Sequence, residues 1–404
     1  MVRERVAGEE GSGLGLNRID TGLAATGPAA QRPATARPRK IWFLVTHSNA
    51  GGAQEVAANL AESFQARGHE VRLVALFPSA GAVRAVSAET PWSYVALRRP
   101  GSPFGLIGLL RSLTRLLSDG APDVVFTALP AANVLTPIAV RLAGLSTQVV
   151  TTHHSPAETH SPLLNLLDGF TGSLKAVTAV VSVSHTVGRS HDGKPAAYLA
   201  KRHTITNALP PQIEQTAARL RAGRGKDGAG RRLVVATGRL AAQKNYPTLI
   251  RALSHLPATR LHIIGDGPDE GDLKALARTL GVSARVDFLG FRPRPEALAL
   301  LAQGDVFAQP SLYEGHSLGL VEAARLGLPL VVSDAPVQIE GVTAPDGEVC
   351  GLVVGVHDDV ALAGAIARLL DDPDVYRDYV ARATRLGETT GWDTMLAAYE
   401  RLAL

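Results

Sequence analysis

Residues Gln309–Asp334 read QPSLYEGHSLGLVEAARLGLPLVVSD, and this stretch decides the fold. It opens as a loop, because Pro310 disfavours helical geometry in the residue before it. Ser317 is a suitable N-cap for a helix whose apolar residues recur at helical spacing. Gly327 suits the left-handed position that ends a helix, and Leu330–Val332 follow as a short apolar run. We therefore predict loop, helix, turn and buried strand.

The candidate chemistry lies in two carboxylates, Glu314 and Glu322, which stand eight residues apart. Glu314 precedes the predicted helix and Glu322 lies inside it, so a ligand held at the helix N-terminus could contact both. That end carries unsatisfied N–H groups and the positive end of the helix dipole, which suit a phosphate or a developing anion. Glu322 could bind a diol with its two oxygens. The alternative is that both glutamates are ordinary solvated charges.

The stretch resembles the E-x7-E signature of the retaining, nucleotide-sugar-dependent glycosyltransferases of family 4. The wider pattern, Pro-Ser-x-Tyr-Glu-Gly followed by Glu-Ala and by Gly-x-Pro before an apolar strand, runs from Pro310 to Val332. One departure is His316, where the family often has an aromatic residue. The resemblance implies an α/β fold of the GT-B type. In that fold two Rossmann-like, doubly wound domains face a central cleft, and a C-terminal helix crosses back to the first domain.

The same resemblance implies roles for the residues of this stretch. It places Glu314 at the hydroxyls of the transferred sugar and Glu322 at the ribose of the donor. The backbone after Glu314 would then stabilise charge on the donor's phosphates. The donor-binding residues implied there are Gly315, His316, Ser317 and Leu318.

Composition limits the class of protein. At 404 residues the chain has room for two domains. The single cysteine, Cys350, excludes an internal disulfide framework, so we expect a reducing cytoplasm. The longest uncharged run, residues 124–140, contains two prolines and is too irregular for a membrane span.

The positive charge of the chain belongs mainly to its N-terminal tail. Residues 1–40 hold seven Lys/Arg and four Asp/Glu, so the remaining 364 residues carry only +1 of the total +4. This distribution gives little support for nucleic-acid binding. The tail is rich in Gly, Ala, Pro and Arg and lacks apolar periodicity, so we expect it to be disordered.

The first domain is expected to open with a βαβ unit. Ile41–Thr46 forms a buried strand, residues 53–66 an amphipathic helix and Val71–Phe77 the next strand. Gly51 and Gly52 stand at the first strand-to-helix junction, where open α/β sheets bind ligands. A plain tight turn would explain two glycines equally well. The run nevertheless resembles the opening of family-4 enzymes, in which the glycine loop approaches the donor's phosphates.

Residues 103–117, PFGLIGLLRSLTRLL, predict an apolar helix that carries Arg111 and Arg115 four residues apart. One interpretation is a helix that faces the core. The other is a surface that rests on an anionic membrane, as amphipathic basic helices can. Peripheral contact with the inner face of the plasma membrane follows from the second interpretation.

A histidine pair, His153 and His154, ends the strand predicted at Val149–Thr152. Strand ends form the rim where α/β sheets bind substrates, although partly buried structural histidines would give the same pattern. No carboxylate or cysteine stands beside the pair at metal-ligand spacing, which argues against zinc. Family-4 enzymes usually have a histidine here that faces the transferred sugar. The sequence leaves open which of the two corresponds, and Thr-x-His-Ser favours His154.

The second domain is expected to begin with the strand Leu233–Thr237, followed by Gly238, Arg239 and, five residues later, Lys244. Arg239 offers a planar fork and Lys244 a point charge, and the two could converge on a diphosphate. The alternative is a helix start with two solvated cations. The segment resembles the family's Gly-Arg-Leu-x-x-x-Lys motif.

A further segment that contains Phe288 and Leu289 resembles the family's Val-x-Phe-Leu-Gly motif. In the family, the base of the nucleotide packs near this motif. The resemblance therefore implies that these two residues lie at the base of the donor.

The predicted organisation has five parts. They are a disordered tail (1–39), an N-terminal acceptor domain (40–210), a linker (211–232), a nucleotide-sugar-binding domain (233–385) and a C-terminal crossover helix (386–404).

The predicted function is that of a retaining, metal-independent glycosyltransferase of the hexosyltransferase type. The resemblance implies a UDP- or GDP-linked sugar donor and a carbohydrate or glycolipid acceptor in polysaccharide, glycolipid or glycoconjugate biosynthesis. The catalytic residues expected from it are Glu314, Arg239, Lys244 and a histidine of the 153/154 pair. Two alternatives remain: a sugar-nucleotide epimerase with the same GT-B fold, and a non-catalytic nucleotide-sugar-binding protein.

Overall fold

A computed structural model describes residues 37–49, 51–78, 90–224 and 231–403. The predicted tail falls almost wholly outside these residues. The first strand begins at Lys40, where the first domain was predicted to start.

The first domain is built on a parallel sheet with strand order β3-β2-β1-β4-β5-β6-β7. Its strands are β1 Lys40–His47, β2 Glu70–Phe77, β3 Trp92–Tyr94, β4 Val124–Ala128, β5 Gln148–His153, β6 Val177–Ser182 and β7 Arg202–Thr204. Its helices are α1 Gly52–Ala66, α2 Pro103–Gly120, α3 Pro130–Leu142, α4 Pro162–Gly172, α5 His185–Arg189 and α6 Ala196–Leu199. The order reverses beside β1, so the sheet is doubly wound and its central strands are apolar on both faces.

Helices cover both faces of this sheet. On one face α1 packs over Phe43 and Phe126, whose rings stack at a centroid distance of 5.1 Å. On the other face lie α2 and α3, where Leu113 and Leu117 are fully buried against the sheet. The N-terminal turns of α2 leave Phe104 exposed. The core-facing interpretation therefore describes the C-terminal part of this helix, and membrane contact of the exposed N-terminal turns stays a prediction.

The second domain repeats the plan with strand order β10-β9-β8-β11-β12-β13, all pairs parallel. Its strands are β8 Leu233–Thr237, β9 Arg260–Ile264, β10 Val286–Phe288, β11 Val306–Gln309, β12 Leu330–Ser333 and β13 Leu352–Val354. Its helices are α7 Pro211–Gly223, α8 Tyr246–Ser254, α9 Glu270–Thr279, α10 Arg294–Leu301, α11 Leu318–Arg325, α12 Pro336–Gly341, α13 Asp359–Asp371 and α14 Pro373–Glu388, and the last helix of the chain is α15 Trp392–Ala403. The expectation of two doubly wound domains is confirmed.

Two helices connect the domains. The segment predicted as a linker begins with α7, whose Ile213 and Ala217 are buried in the core of the second domain. The first part of the predicted linker is therefore a helix that packs into the second domain. At the other end α15 buries Trp392 and Tyr399 in the core of the first domain, together with Phe126. The chain thus crosses back to the first domain, as expected.

The central stretch folds as its sequence predicts. Ser317 is the N-cap of α11, and its Oγ accepts a hydrogen bond from the N–H of Leu320 at 3.3 Å. Gly327 has a φ of 67°, the left-handed value that glycine adopts most readily, and ends the helix turn. The strand β12 follows. Among the described residues, the helices are all too short or too polar to traverse a lipid bilayer.

Candidate active site

The carboxylate of Glu314 lies in a buried cage of donors. Its Oε1 accepts hydrogen bonds from Lys244 Nζ at 2.7 Å, from Ser311 Oγ at 2.8 Å and from Gln309 Nε2 at 3.0 Å. Its Oε2 accepts from Gln243 Nε2 at 3.3 Å. Glu314 is 6% exposed, so these donors replace water around a fixed negative charge. The solvated-charge alternative does not describe this residue.

Lys244 reaches Glu314 because the segment before it contains glycine. Gly238 has a φ of 138°, and a Cβ atom there would overlap the Cε atom of Lys244. The next residue, Asn245, has a φ of 52° and donates its amide to the carbonyl of Pro310 at 3.0 Å. Lys244, the cation predicted to face a diphosphate, and the adjacent Asn245 thus each connect this segment to the central stretch.

Arg239 extends toward the first domain. Its side chain is exposed, and its charge acts on His47 at the end of β1. Burial lowers the pKa of His47, and the positive charges of Arg239 and Arg99 lower it further. Arg239 of the second domain and Arg99 of the first therefore both place positive charge near His47, which favours an anionic ligand there.

The N-terminus of α11 touches the first domain. A Cβ atom on Gly315 would overlap the backbone carbonyl oxygen of His154, and one on Gly52 would lie 3.7 Å from Leu318. The glycine turn before α1 and the loop before α11, predicted separately, therefore meet in space. The first turn of α11 has N–H groups without intrahelical partners, which suit an anion held between the two segments.

Two hydrogen-bonded contacts hold this closed arrangement. The amide of Asn207 donates to the carbonyl of His316 at 3.0 Å. The carboxylate of Glu340 accepts from the backbone N–H groups of His185 and Thr186, at 2.6 and 2.7 Å. A carboxylate at the start of a helix is favoured by the helix dipole. Both contacts join residues of opposite domains.

The structure separates the two histidines of the predicted pair. His154 lies at the cleft, partly exposed, with its Nε2 3.0 Å from Thr152 Oγ1. Burial lowers its pKa to about 4, so the ring is neutral at pH 7. His153 points the other way, is 2% exposed and lies 3.1 Å from the Tyr198 hydroxyl. Successive residues along a strand face opposite sides of a sheet, so His154 reaches the cleft and His153 lies on the other face.

The fold brings together three side chains of metal-ligand type that are distant in sequence. Ligand atoms of His153, Asp168 and His191, all buried, lie within 4.8 Å of one another. However, Lys194 Nζ lies 3.2 Å from Asp168 Oδ2 and already neutralises that carboxylate. A divalent cation would have to enter a buried space beside this ammonium group, which is electrostatically unfavourable. We therefore interpret the cluster as a polar network within the first domain.

Glu322, the other carboxylate of the signature, is buried on α11 and is 3% exposed. Its Oε1 accepts a hydrogen bond from Arg294 Nη1, and the same guanidinium group binds Glu55 of the first domain. The side chain of Glu322 is therefore already held by an arginine before any ligand is present.

The remaining predicted donor residues lie at the same edge of the second sheet. Phe288 ends β10, and Leu289 follows, its N–H bonded to the carbonyl of Ile263 at 2.9 Å. Both line a surface cavity of about 370 Å³ together with Lys274 and Arg278. Position at the carboxyl ends of parallel strands agrees with the location expected for a nucleotide.

Sequence reasoning missed several residues of this site. Gln243 and Gln309 flank recognised motifs, and their amides could have been read as partners for a buried carboxylate. Glu55 and Arg294 carried no such signal, since each looks like an ordinary surface charge in its own helix. Their pairing depends on the contact between the two domains.

Comparison with known proteins gives this arrangement a family. Residues 50–208 match the family model described as Glycosyltransferase Family 4, and residues 223–386 match the one described as Glycosyl transferases group 1. The crystal structure of Anabaena Alr3699/HepE in complex with UDP and glucose has a TM-score of 0.74 and 20% sequence identity, over 90% of this chain and 98% of that chain. Two facing doubly wound domains with a C-terminal helix crossing back define a GT-B protein. The chain belongs to glycosyltransferase family 4.

Curated relatives match part of this chain in sequence. The lipopolysaccharide core biosynthesis glycosyltransferase LpsD of Rhizobium meliloti (strain 1021) is 34% identical over 175 residues, 42% of this chain and 49% of that protein. The D-inositol 3-phosphate glycosyltransferase of Mycobacterium avium (strain 104) is 34% identical over 179 residues, 42% of each chain. The chain thus spans about half the length, or less, of these curated relatives.

Proposed function

We propose that the protein is a retaining glycosyltransferase that transfers a sugar from a nucleotide diphosphate sugar, with UDP as the favoured nucleotide, to an acceptor hydroxyl. The observation that supports this most is the buried Lys244–Glu314 pair beside the N-terminus of α11, closed over by the first domain. The UDP in the HepE complex supports the choice of nucleotide. The acceptor and the linkage are left to experiment.

The residues of the cleft suit the charge changes of this reaction. When the bond between the sugar's C1 and the β-phosphate oxygen breaks, negative charge develops on the phosphate. Arg239, Lys244 and the first N–H groups of α11 would stabilise that charge in a cleft with little water. The new bond forms between C1 and the acceptor oxygen. We propose that the acceptor's proton passes to the departing phosphate on the same face.

Positive side chains thus supply the charge that a metal ion would otherwise supply, so we propose metal-independent transfer. The neutral ring of His154 would face the transferred sugar from the first domain as a hydrogen-bond partner. Glu314, held by Lys244, would contact the sugar's hydroxyls. We infer these roles from the family resemblance and from the positions of these side chains.

The proposal is tested with radiolabelled UDP-sugars, EDTA present and no acceptor. A transferase should release the sugar slowly by hydrolysis. An epimerase would instead change the sugar, and a binding protein would hold the donor without turnover. A thermal-shift screen of UDP- and GDP-sugars chooses the donor beforehand, because a ligand at a hundred times its Kd adds about 2.7 kcal/mol to the free energy of unfolding. Loss of hydrolysis in EDTA with rescue by manganese would contradict metal independence.

Substitutions of the two glutamates of the signature are expected to affect KM and kcat differently. Glu322→Gln should raise KM for the donor more than it lowers kcat, because the ribose is bound similarly before and during reaction. Glu314→Gln should lower kcat by about 10²-fold with little change in KM, since it removes a charged contact to the sugar, whose charge changes in the transition state. Steady-state kinetics on both variants, each shown folded by circular dichroism, measures this. The opposite split would reverse the two assignments.

The surface of the first domain favours an acceptor carried by a lipid. Helices α2 and α4, which both pack against α3, expose large apolar side chains, and basic residues lie on α2 and just before it. The exposed apolar residues are Leu97, Phe104, Leu106, Ile107, Leu163, Leu166 and Phe170, and the exposed arginines are Arg98, Arg99, Arg111 and Arg115. Contiguous exposed apolar surface marks an interaction site, and each arginine near an anionic leaflet contributes about 1 kcal/mol to binding. We propose peripheral contact with an anionic membrane through this surface.

Vesicle binding tests the membrane proposal. Wild-type protein should sediment with phosphatidylcholine vesicles that contain phosphatidylglycerol and far less with phosphatidylcholine alone. The double variant Phe104→Ser/Ile107→Ser should lose most of this binding, because both side chains are exposed on α2. Val360→Ser is the matched control, since Val360 is 63% exposed on the second domain. Equal sedimentation of all variants would place the membrane contact elsewhere or nowhere.

A further inference from the structure

A buried group of three charges joins the two domains at the donor cleft. Arg294, the first residue of α10, binds Glu322 through Nη1 and Glu55 through Nε and Nη2. The side chains of Arg294 and Glu55 are 17% exposed and that of Glu322 is 4% exposed. Two carboxylates thus share one guanidinium group, with Glu55 bound through both of its oxygens.

The positions of the three residues connect two parts of the cleft. Glu55 lies in the first turn of α1, three residues after Gly52. Glu322 lies in α11 of the opposite domain. Arg294 contacts only Oε1 of Glu322, so Oε2 is not engaged by the guanidinium group. A ligand hydroxyl could therefore bind this carboxylate without displacing the arginine.

The charge of Glu322 depends on these neighbours. Burial raises the pKa of Glu322, the positive charges of Arg294 and Lys244 lower it, and the negative charge of Glu55 raises it. An ionised carboxylate accepts hydrogen bonds from two hydroxyls, whereas a protonated one is a weaker and less symmetric acceptor. Without Arg294, a carboxylate in this environment would take up a proton at a higher pH.

We propose that Arg294 is a positioning residue for donor binding, which keeps the Glu322 carboxylate ionised and aimed at the ribose diol and ties it through Glu55 to the glycine turn of the first domain. The inference rests on the proposed function, in which Glu322 binds ribose. It assigns a role to a residue outside the family motifs and to an ion pair between the domains.

The test compares UDP with 2′,3′-dideoxy-UDP by calorimetry, from mildly acidic to neutral pH. Wild-type protein should prefer UDP by roughly 10-fold or more, the size expected of hydrogen bonds to a charged group. Arg294→Met should lose this preference at a higher pH than wild type does, because the pKa of Glu322 rises. Glu55→Gln should retain it to a lower pH, because a like charge is removed. Arg251→Met, an exposed arginine of the same domain, is the matched control and should behave as wild type.

The opposite pH shifts of the two variants distinguish positioning from a merely structural ion pair. Equal losses in Arg294→Met and Glu55→Gln without a pH shift would overturn the proposal, as would an unchanged preference in Arg294→Met. If Arg294→Met does not fold, the shift in Glu55→Gln, which keeps the Arg294–Glu322 pair, decides the matter. Wild-type protein that binds no UDP would overturn the proposed donor site and this inference together. Wild-type binding without a preference for the diol would overturn the role of Glu322 alone.

Discussion

Replacing Lys244 by alanine is expected to lower turnover by about 10²–10³-fold, the loss typical of one oriented group that stabilises charge in the transition state. The contacts of Lys244 in the structure support this expectation. Lys244 is fixed by Glu314 at 2.7 Å, and only 14% of its side chain is exposed. A cation held in place before the donor arrives does not have to reorganise during the reaction.

The same substitution should leave the fold intact. Glu314 would lose its counter-charge, but three neutral donors remain on its oxygens, from Ser311, Gln309 and Gln243. Single-turnover kinetics with saturating donor measure the chemical step, and circular dichroism checks the fold. Lys175→Ala is the control, because Lys175 is an exposed lysine of the first domain. Turnover near that of the wild type would remove Lys244 from the proposed mechanism.

The second large effect is expected from Gly315→Ala, which adds one methyl group between the domains. A Cβ atom on Gly315 would overlap the carbonyl oxygen of His154, and backbone on both sides leaves no flexible side chain to move away. The domains must then separate at the point where the sugar would react. Misplacement of about 1 Å at a reacting centre costs on the order of 10²-fold in rate, so we expect a fall of that size in kcat.

Measuring UDP binding distinguishes the expected fall in kcat from unfolding of the variant. The second domain holds most of the proposed nucleotide contacts, so Gly315→Ala should still bind UDP while turnover falls. Gly364→Ala is the matched control, because a Cβ atom at Gly364 meets nothing within 4 Å. An unchanged kcat in Gly315→Ala would show that the closed contact seen here is not the arrangement in which the reaction occurs.

The alternation of strands and helices could be predicted from sequence because it depends on local patterns. Buried parallel strands need continuous apolar runs, and helix ends need particular residues. Ser317 as N-cap and Gly327 at its left-handed φ of 67° were both predicted on those grounds and are confirmed. Lys244 and Glu314 were also found from sequence, since each lies in a short motif. Their direct contact was not, because 70 residues separate them.

Other features required the folded chain. Successive residues along a strand face opposite sides of the sheet, which predicts that the side chains of His153 and His154 point apart. Only the packing around β5 shows which of the two lies at the cleft. Likewise, the pattern of α2 left open whether its apolar residues face the core or solvent. The structure buries Leu113 and exposes Phe104.

The sequence by itself determined the family, the two-domain α/β plan and the cations and carboxylates that line the second domain. Only the tertiary structure decided which charges meet. Arg294 and Glu55 are 239 residues apart, and no local pattern relates them. Their contact with Glu322 exists because closure of the domains brings the three side chains together and leaves at most 17% of each exposed. A buried charge without a partner costs several kcal/mol, so the fold must supply the partner even where the sequence gives no sign of it.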